Sequence, residues 1–278
     1  MRKFWNVLGL FLALICEARA TTPANAIPFE YAENLLWVKV AVPHSPRPLN
    51  FLFDTGAEVS VINSDTAMSL GLSGGNEIRV HGVDAATTGR WPVQLAGKAG
   101  GIDLPAKYLS LDLSQLSRSC ERHLDGLIGA DFIRGKVVQI DFQSHLLRLI
   151  KHASVAKTDV ALPLKISGQC FCAPVSINGG GQQWLRIDTG CTTPLQWVTE
   201  ADLPTDTTSV AIGLTGLAIP QTKTTISLGD RKFAEVPTGI HARAIFAGES
   251  GLLGNALLNR FKTVTIDAKD RRLVLTPL

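Results

Sequence analysis

The side chains best placed to do chemistry are two aspartates, Asp54 and Asp188, each of which opens an Asp-Thr-Gly tripeptide. The first stands in residues 51–63, FLFDTGAEVSVIN, and the second in residues 184–198, WLRIDTGCTTPLQWV. In both, an apolar run that reads as a buried strand delivers the tripeptide, and a further apolar run follows. A carboxylate at the end of a buried strand is costly unless it is hydrogen-bonded or paired. The glycine lets the chain turn where a Cβ would obstruct it, and the threonine hydroxyl can bond back to a backbone group. One such tripeptide reads as an ordinary turn after a strand; two in the same setting do not. Two carboxylates brought within hydrogen-bond reach cannot both ionise cheaply, so one keeps a proton while the other is charged. The charged member can take a proton from a water, and the protonated member can support the carbonyl oxygen which that water attacks. Such acid–base hydrolysis requires no metal and no covalent intermediate.

The elements that must position the two aspartates are themselves duplicated. Gly126-Leu-Ile-Gly129 in the first half has a counterpart in Gly251-Leu-Leu-Gly254 in the second. Each is followed by an apolar strand ending in Ile-Asp (Ile140-Asp141 and Ile266-Asp267) and by a final apolar strand (residues 146–150 and 273–275). A repeat unit this long lies far above solenoid periods and implies two similar lobes rather than a stacked array. The boundaries expected are 1–20 for a leader, 27–150 for the first lobe and 160–278 for the second, with the polar stretch 151–159 crossing between them.

This order of strand, Asp-Thr-Gly, strand, hairpin and apolar-apolar-Gly resembles the pepsin-like and retropepsin-like aspartic proteases, over nearly the whole chain after residue 26. Two motifs in one chain look like the pepsin arrangement, while the short lobes and the Asp54–Ala57 DTGA look more like retropepsin subunits fused in tandem. The resemblance implies an all-β, bilobal acid-protease fold of two β-barrel-like lobes with short helices, acting as a monomer with an internal pseudo-dimer. It implies that Asp54 and Asp188 are catalytic, and that Thr55 and Thr189 bond across the lobe interface. Gly56 and Gly190 would direct amides at the carboxylates, and Gly129 and Gly254 would pass close to the loops that carry them. A peptide or protein substrate would lie extended between the lobes as in strand addition, under hairpins expected at 78–94 and 211–225. Two departures from the family stand out. Neither hairpin holds a tyrosine, leaving Trp91 as a flap aromatic or a packed surface residue, and Cys191 follows the second tripeptide where a small hydroxyl residue or alanine is usual.

The first twenty residues read as an export signal: Arg2 and Lys3, an apolar run over residues 4–16, and an Ala18-Arg19-Ala20 cleavage site, too short to span a bilayer. Export is expected to place the chain in a periplasm or outside the cell, a bacterial envelope being favoured. The first strand starts close behind the cut, leaving little room for a long inhibitory prosegment. The formal charge of +3 comes largely from that leader, so no basic footprint for nucleic acid is present. With 45% hydrophobic and 18% charged residues the chain can build sizeable cores, and Val/Ile/Thr-rich runs broken by turns read as strands. Short helices are expected at 64–70, capped by Ser64 or Asp65, at 126–134 with Gly135 as its stop, and at 251–261.

Outside the leader there are four cysteines: Cys120, Cys170, Cys172 and Cys191. An oxidising compartment favours a disulfide; three complete pairings exist, and Cys120 with Cys170 or Cys172 is the one expected. The six histidines are scattered without ligand spacing, so no metal site and no cofactor are expected. Two other readings stay open: a secreted peptide-binding pseudoprotease with the same cleft, and a homodimer whose lobes pair between chains.

Overall fold

The computed structural model describes residues 23–82, 85–201, 203–205, 207–211 and 217–278. The expected export signal lies outside them. What they form is a largely β protein built on one strand plan used twice. In the first half, Leu49–Phe53 pairs antiparallel with Leu35–Val40 and parallel with Gly126–Ile128, with Phe51 opposite Gly126 and Phe53 opposite Ile128. Beyond Asp54 the chain loops round and returns as Val61–Asn63 on the other edge of Gly126–Ile128, which then lies parallel to Lys107–Leu111. The second half repeats this. Gln182–Asp188 runs parallel to Gly251–Gly254, Leu195–Val198 returns antiparallel on its other edge, and Arg231–His241 lies parallel beyond.

Each Asp-Thr-Gly loop therefore straddles the end of a short buried strand, and that corrects two expectations. Residues 126–134 and 251–261 are not helices throughout; their Gly-Leu-Ile and Gly-Leu-Leu-Gly segments are strands. Only afterwards do a 3-10 turn at Ala130–Phe132 and a single helical turn at Asn255–Leu258 appear. A short, wholly apolar run carries no periodicity to tell strand from buried helix. Here, three or four residues wedged between two flanking strands leave space only for an extended chain. At Gly126 an added Cβ would come within 2.5 Å of the Phe51 ring.

The helix expected at 64–70 forms at Ser64–Ser69, but neither Ser64 nor Asp65 caps it; Asn63 occupies the cap position and makes no capping bond. Its side chain instead ties two loops, donating to the Leu124 carbonyl and accepting from the Leu113 amide, both at 3.3 Å. A further helix at Ser114–Ser119 has no counterpart in the sequence reading.

The last strands of both halves join into one sheet. Val137–Asp141 pairs antiparallel with Phe261–Asp267 across the molecule, Gln139 opposite Thr265, with Leu146–Ile150 and Ala26–Ala32 on one side. Arg272–Pro277 and then Val160–Pro163 continue it on the other. The main hydrophobic core is continuous through both halves. Alternation along Leu49–Phe53 sends Phe51 and Phe53 into it, while Leu52 points the other way into a second cluster with Val61, Leu109, Leu113 and Leu127. All four cysteines carry free thiols. The expected disulfide is absent because Cys120 is buried in that second cluster of the first half, whereas Cys170 lies in the main core and Cys172 is buried on the same Cys170–Ile177 strand of the second half. Among the described residues no helix is long and apolar enough to cross a membrane.

Candidate active site

Asp54 directly follows the strand Leu49–Phe53 and Asp188 ends the strand Gln182–Asp188, and the paired strand plan brings the two carboxyl groups into hydrogen-bonding contact. Beneath them the threonines interlock. The Thr55 amide donates to Thr189 Oγ1 at 3.0 Å, and the Thr189 amide donates to Thr55 Oγ1 at 3.1 Å. Each hydroxyl then donates across the interface, Thr55 to the Ile187 carbonyl at 2.7 Å and Thr189 to the Phe53 carbonyl at 2.6 Å. Both threonines are fully buried, so these four bonds satisfy groups that would otherwise be orphaned away from water.

The glycines serve proximity as much as turning. An added Cβ at Gly190 would sit 2.7 Å from Asp54 Cγ, and one at Gly56 would lie 2.5 Å from Asp188 Oδ1. Each carboxyl group thus lies against the other loop's glycine, where any larger residue would push the pair apart. Gly129 packs against the loop backbone at Val59, where a Cβ would fall 2.5 Å from the carbonyl carbon, and Gly254 packs against the Thr193 carbonyl and Cys191.

The two carboxyl groups are not equivalent. Asp54 Oδ1 accepts two amides, from Gly56 at 3.0 Å and Ala57 at 3.2 Å. Asp188 Oδ1 accepts one, from Gly190 at 2.9 Å. Backbone donors favour the ionised form. Burial drives the affinity of both groups for protons upward, and for Asp188 the neighbouring Asp54 charge adds to it, taking that group to about 8. The arrangement therefore holds one proton on the pair, with the anion favoured at Asp54 and the proton at Asp188.

A cleft of about 470 Å³ opens over the pair. The first half lines it with aliphatic side chains such as Leu52, Val61, Leu111 and Leu127 and with Glu58, Arg79 and His81; the second contributes Thr193, Gln196, His241, Phe246 and Leu252. A hairpin formed by Asn76–Gly82 and Ala85–Gln94 presents Ile78 and Val80 to the cleft. Trp91 on the same hairpin packs against the second apolar cluster and does not line the cleft. The other hairpin pairs Thr207–Ala211 with Leu217–Leu228, so the expected 211–225 covers mainly its second strand, and its tip lies outside the described residues. Ile219 from it reaches the cleft. Cys191 lies beside the dyad with its sulfur 3.2 Å from Thr193 Oγ1, and burial with the adjacent Asp188 charge raises its thiol to about 12.

Two site residues were missed in the sequence: Arg186 and Glu249. Their side chains are almost fully buried and joined by two parallel bonds, Nε to Oε2 at 2.7 Å and Nη2 to Oε1 at 2.6 Å. The ring of Phe246 lies 3.5 Å from the guanidinium carbon. The only sequence signal was a charge in the otherwise apolar run before Asp188. Among the described residues no three His, Cys, Asp or Glu side chains are grouped to hold a metal ion.

Residues 38–132, which span the first Asp-Thr-Gly and Gly129, match the family model described as aspartyl protease. That match supports an aspartic protease family and its hydrolase activity. A search of curated proteins finds no match.

Proposed function

We propose that the protein is an exported aspartic endopeptidase that cleaves extended peptide substrates with one aspartate from each lobe. The observation that carries this reading is the reciprocal seating of the two tripeptides: each carboxyl group against the other's glycine, over cross-bonded threonines. A strand-like peptide would lie along the cleft, paired through its backbone to the hairpin that carries Ile78 and Val80. The Asp54 carboxylate, held ionised by two amides, takes a proton from a water between the carboxyl groups. The water oxygen bonds to the peptide carbonyl carbon, and Asp188 donates its proton to the carbonyl oxygen. The resulting diol collapses as the proton on Asp54 passes to the departing nitrogen and the C–N bond breaks. As the C–N bond breaks, one diol hydroxyl returns its proton to Asp188, so the water's oxygen and one hydrogen end on the new carboxyl, its other hydrogen ends on the amine, and the dyad regains its starting charge. Thr55, Gly56, Thr189 and Gly190 hold this geometry, and Gly129 and Gly254 allow the loops to approach it. Export rests on the pattern of residues 1–20, and action as a monomer on both tripeptides being in one chain.

The test is cleavage of a mixed peptide library by the chain lacking residues 1–20, from about pH 3 to 7 where a shared-proton pair works. Asp54→Asn and Asp188→Asn are run alongside. Cutting by the native chain and silence of both variants is the expected result. Activity surviving in either variant sinks the two-lobe dyad, and binding without cutting gives the pseudoprotease instead.

A further inference from the structure

The two halves share the Asp-Thr-Gly tripeptide and the glycines at 129 and 254, and they differ sharply two positions before the aspartate. Two positions before Asp54 stands Leu52, buried in the second apolar cluster; two positions before Asp188 stands Arg186. The guanidinium does not point to solvent. Its Nη1 donates at 2.8 Å to the Gly56 carbonyl, in the opposite half's Asp-Thr-Gly loop, while its other nitrogens are fixed by Glu249 and its face by Phe246. The Gly56 carbonyl also receives the Cys170 thiol at 3.3 Å from the same side. Leu52 has no group with which to return this contact to Gly190.

We infer that Arg186 is a positioning residue for the dyad, a one-sided brace by which the second lobe fixes the loop that carries Asp54. This deepens the hydrolase reading just given and rests on it. A planar fork with five donors can serve Glu249 and Gly56 together, which a lysine ammonium cannot do with the same geometry. Glu249 has a definite part: it neutralises a cation that would otherwise be costly to bury and aims the remaining nitrogen at Gly56. The other charged or titratable groups around the dyad and its cleft are Glu58, Cys170, Cys191 and His241, with Arg79 and His81 on the first half's hairpin. Of the ionised groups, Arg186 is the cation acting on both carboxyls, and it favours their charged form. The brace thus has an electrostatic signature that simple packing lacks.

The experiment measures kcat and KM against pH, and the ¹³C carboxyl titration of the aspartates, for the native chain, Arg186→Met/Glu249→Gln, Glu249→Gln and Arg186→Lys. The aspartate signals are assigned with Asp54→Asn and Asp188→Asn. In the double variant, which removes both charges and keeps the volume, kcat should fall roughly tenfold to a hundredfold with KM little changed. The upper titration of the pair should rise by about one unit. Glu249→Gln alone leaves the cation unneutralised and should move that titration the opposite way, whereas Arg186→Lys should restore the titration without restoring kcat. A folded double variant with native kcat and native titrations overturns the inference, as do shifts of the same sign in both Glu249→Gln and the double variant. Should the native chain cut no peptide, the hydrolase reading fails separately. The carboxyl titrations then decide alone: opposite shifts support the brace, and unchanged ones overturn it.

Discussion

At the scale of single residues, the consequence most open to measurement is the proton on Asp188. Its folded-state affinity is raised above that of an unfolded aspartate, by burial first and the Asp54 charge second. A group raised in this way adds stability that is complete below the unfolded value of about 4 and disappears as pH climbs through the folded value of about 8. The native chain should therefore melt at progressively lower temperature between those limits. Asp188→Asn, which cannot ionise, should flatten much of that slope. Equal slopes in the two proteins, read by calorimetry across the window, would show that the dyad holds no such proton.

At the scale of elements, the threonine interlock converts two loops into one rigid unit. Thr55→Val keeps the shape but removes the donor to the Ile187 carbonyl and the acceptor for the Thr189 amide, leaving both buried and unpaired. With each such group costing about 1–3 kcal/mol, the loss should be on the order of 3 kcal/mol in urea unfolding. Thr55→Ser, which keeps the hydroxyl, should lose clearly less. Equal losses in the two variants would assign the cost to the methyl rather than to the bonds. These threonines, with their aspartates and glycines, were legible in the sequence because they recur as a tripeptide in a duplicated setting. The hairpin at 78–94 was legible as well, since its polar and glycine residues break the apolar runs around it. The Gly-Leu-Ile and Gly-Leu-Leu-Gly strands were not, because three apolar residues fit either period and only their neighbours decide. Arg186 and Glu249 lie 63 residues apart and share no local pattern, and no spacing rule could have paired them. Cys120 and Cys170 misled for the opposite reason, since composition suggested a bond between side chains that packing places in separate clusters.

At the scale of the molecule, the two halves are not beads on a string. Their last strands pair in a common sheet, Val138 opposite Ile266, and their principal core runs unbroken between them. Neither half can open without exposing the other's strand edge and apolar face, so the chain should unfold in a single cooperative transition. Fluorescence, which reports Trp37 and Trp91 in one half and Trp184 and Trp197 in the other, and far-ultraviolet circular dichroism should give coincident urea curves. Separated curves would instead identify independently folding lobes.

Having both halves in one polypeptide also frees them from a restriction that binds every assembly of identical subunits. In a symmetric pair, a change on one wall of the cleft is copied onto the other, and a peptide entering from either end meets the same surroundings. Here the first half's wall carries Leu52, Arg79 and His81 and the second half's carries Arg186, Gln196 and His241, with Leu52 in one standing where Arg186 stands in the other. The cleft therefore has a polarity of its own. For the extended peptide proposed above, a sequence and its reversal would meet different walls, and each half is free to differ on its own side of the cleft.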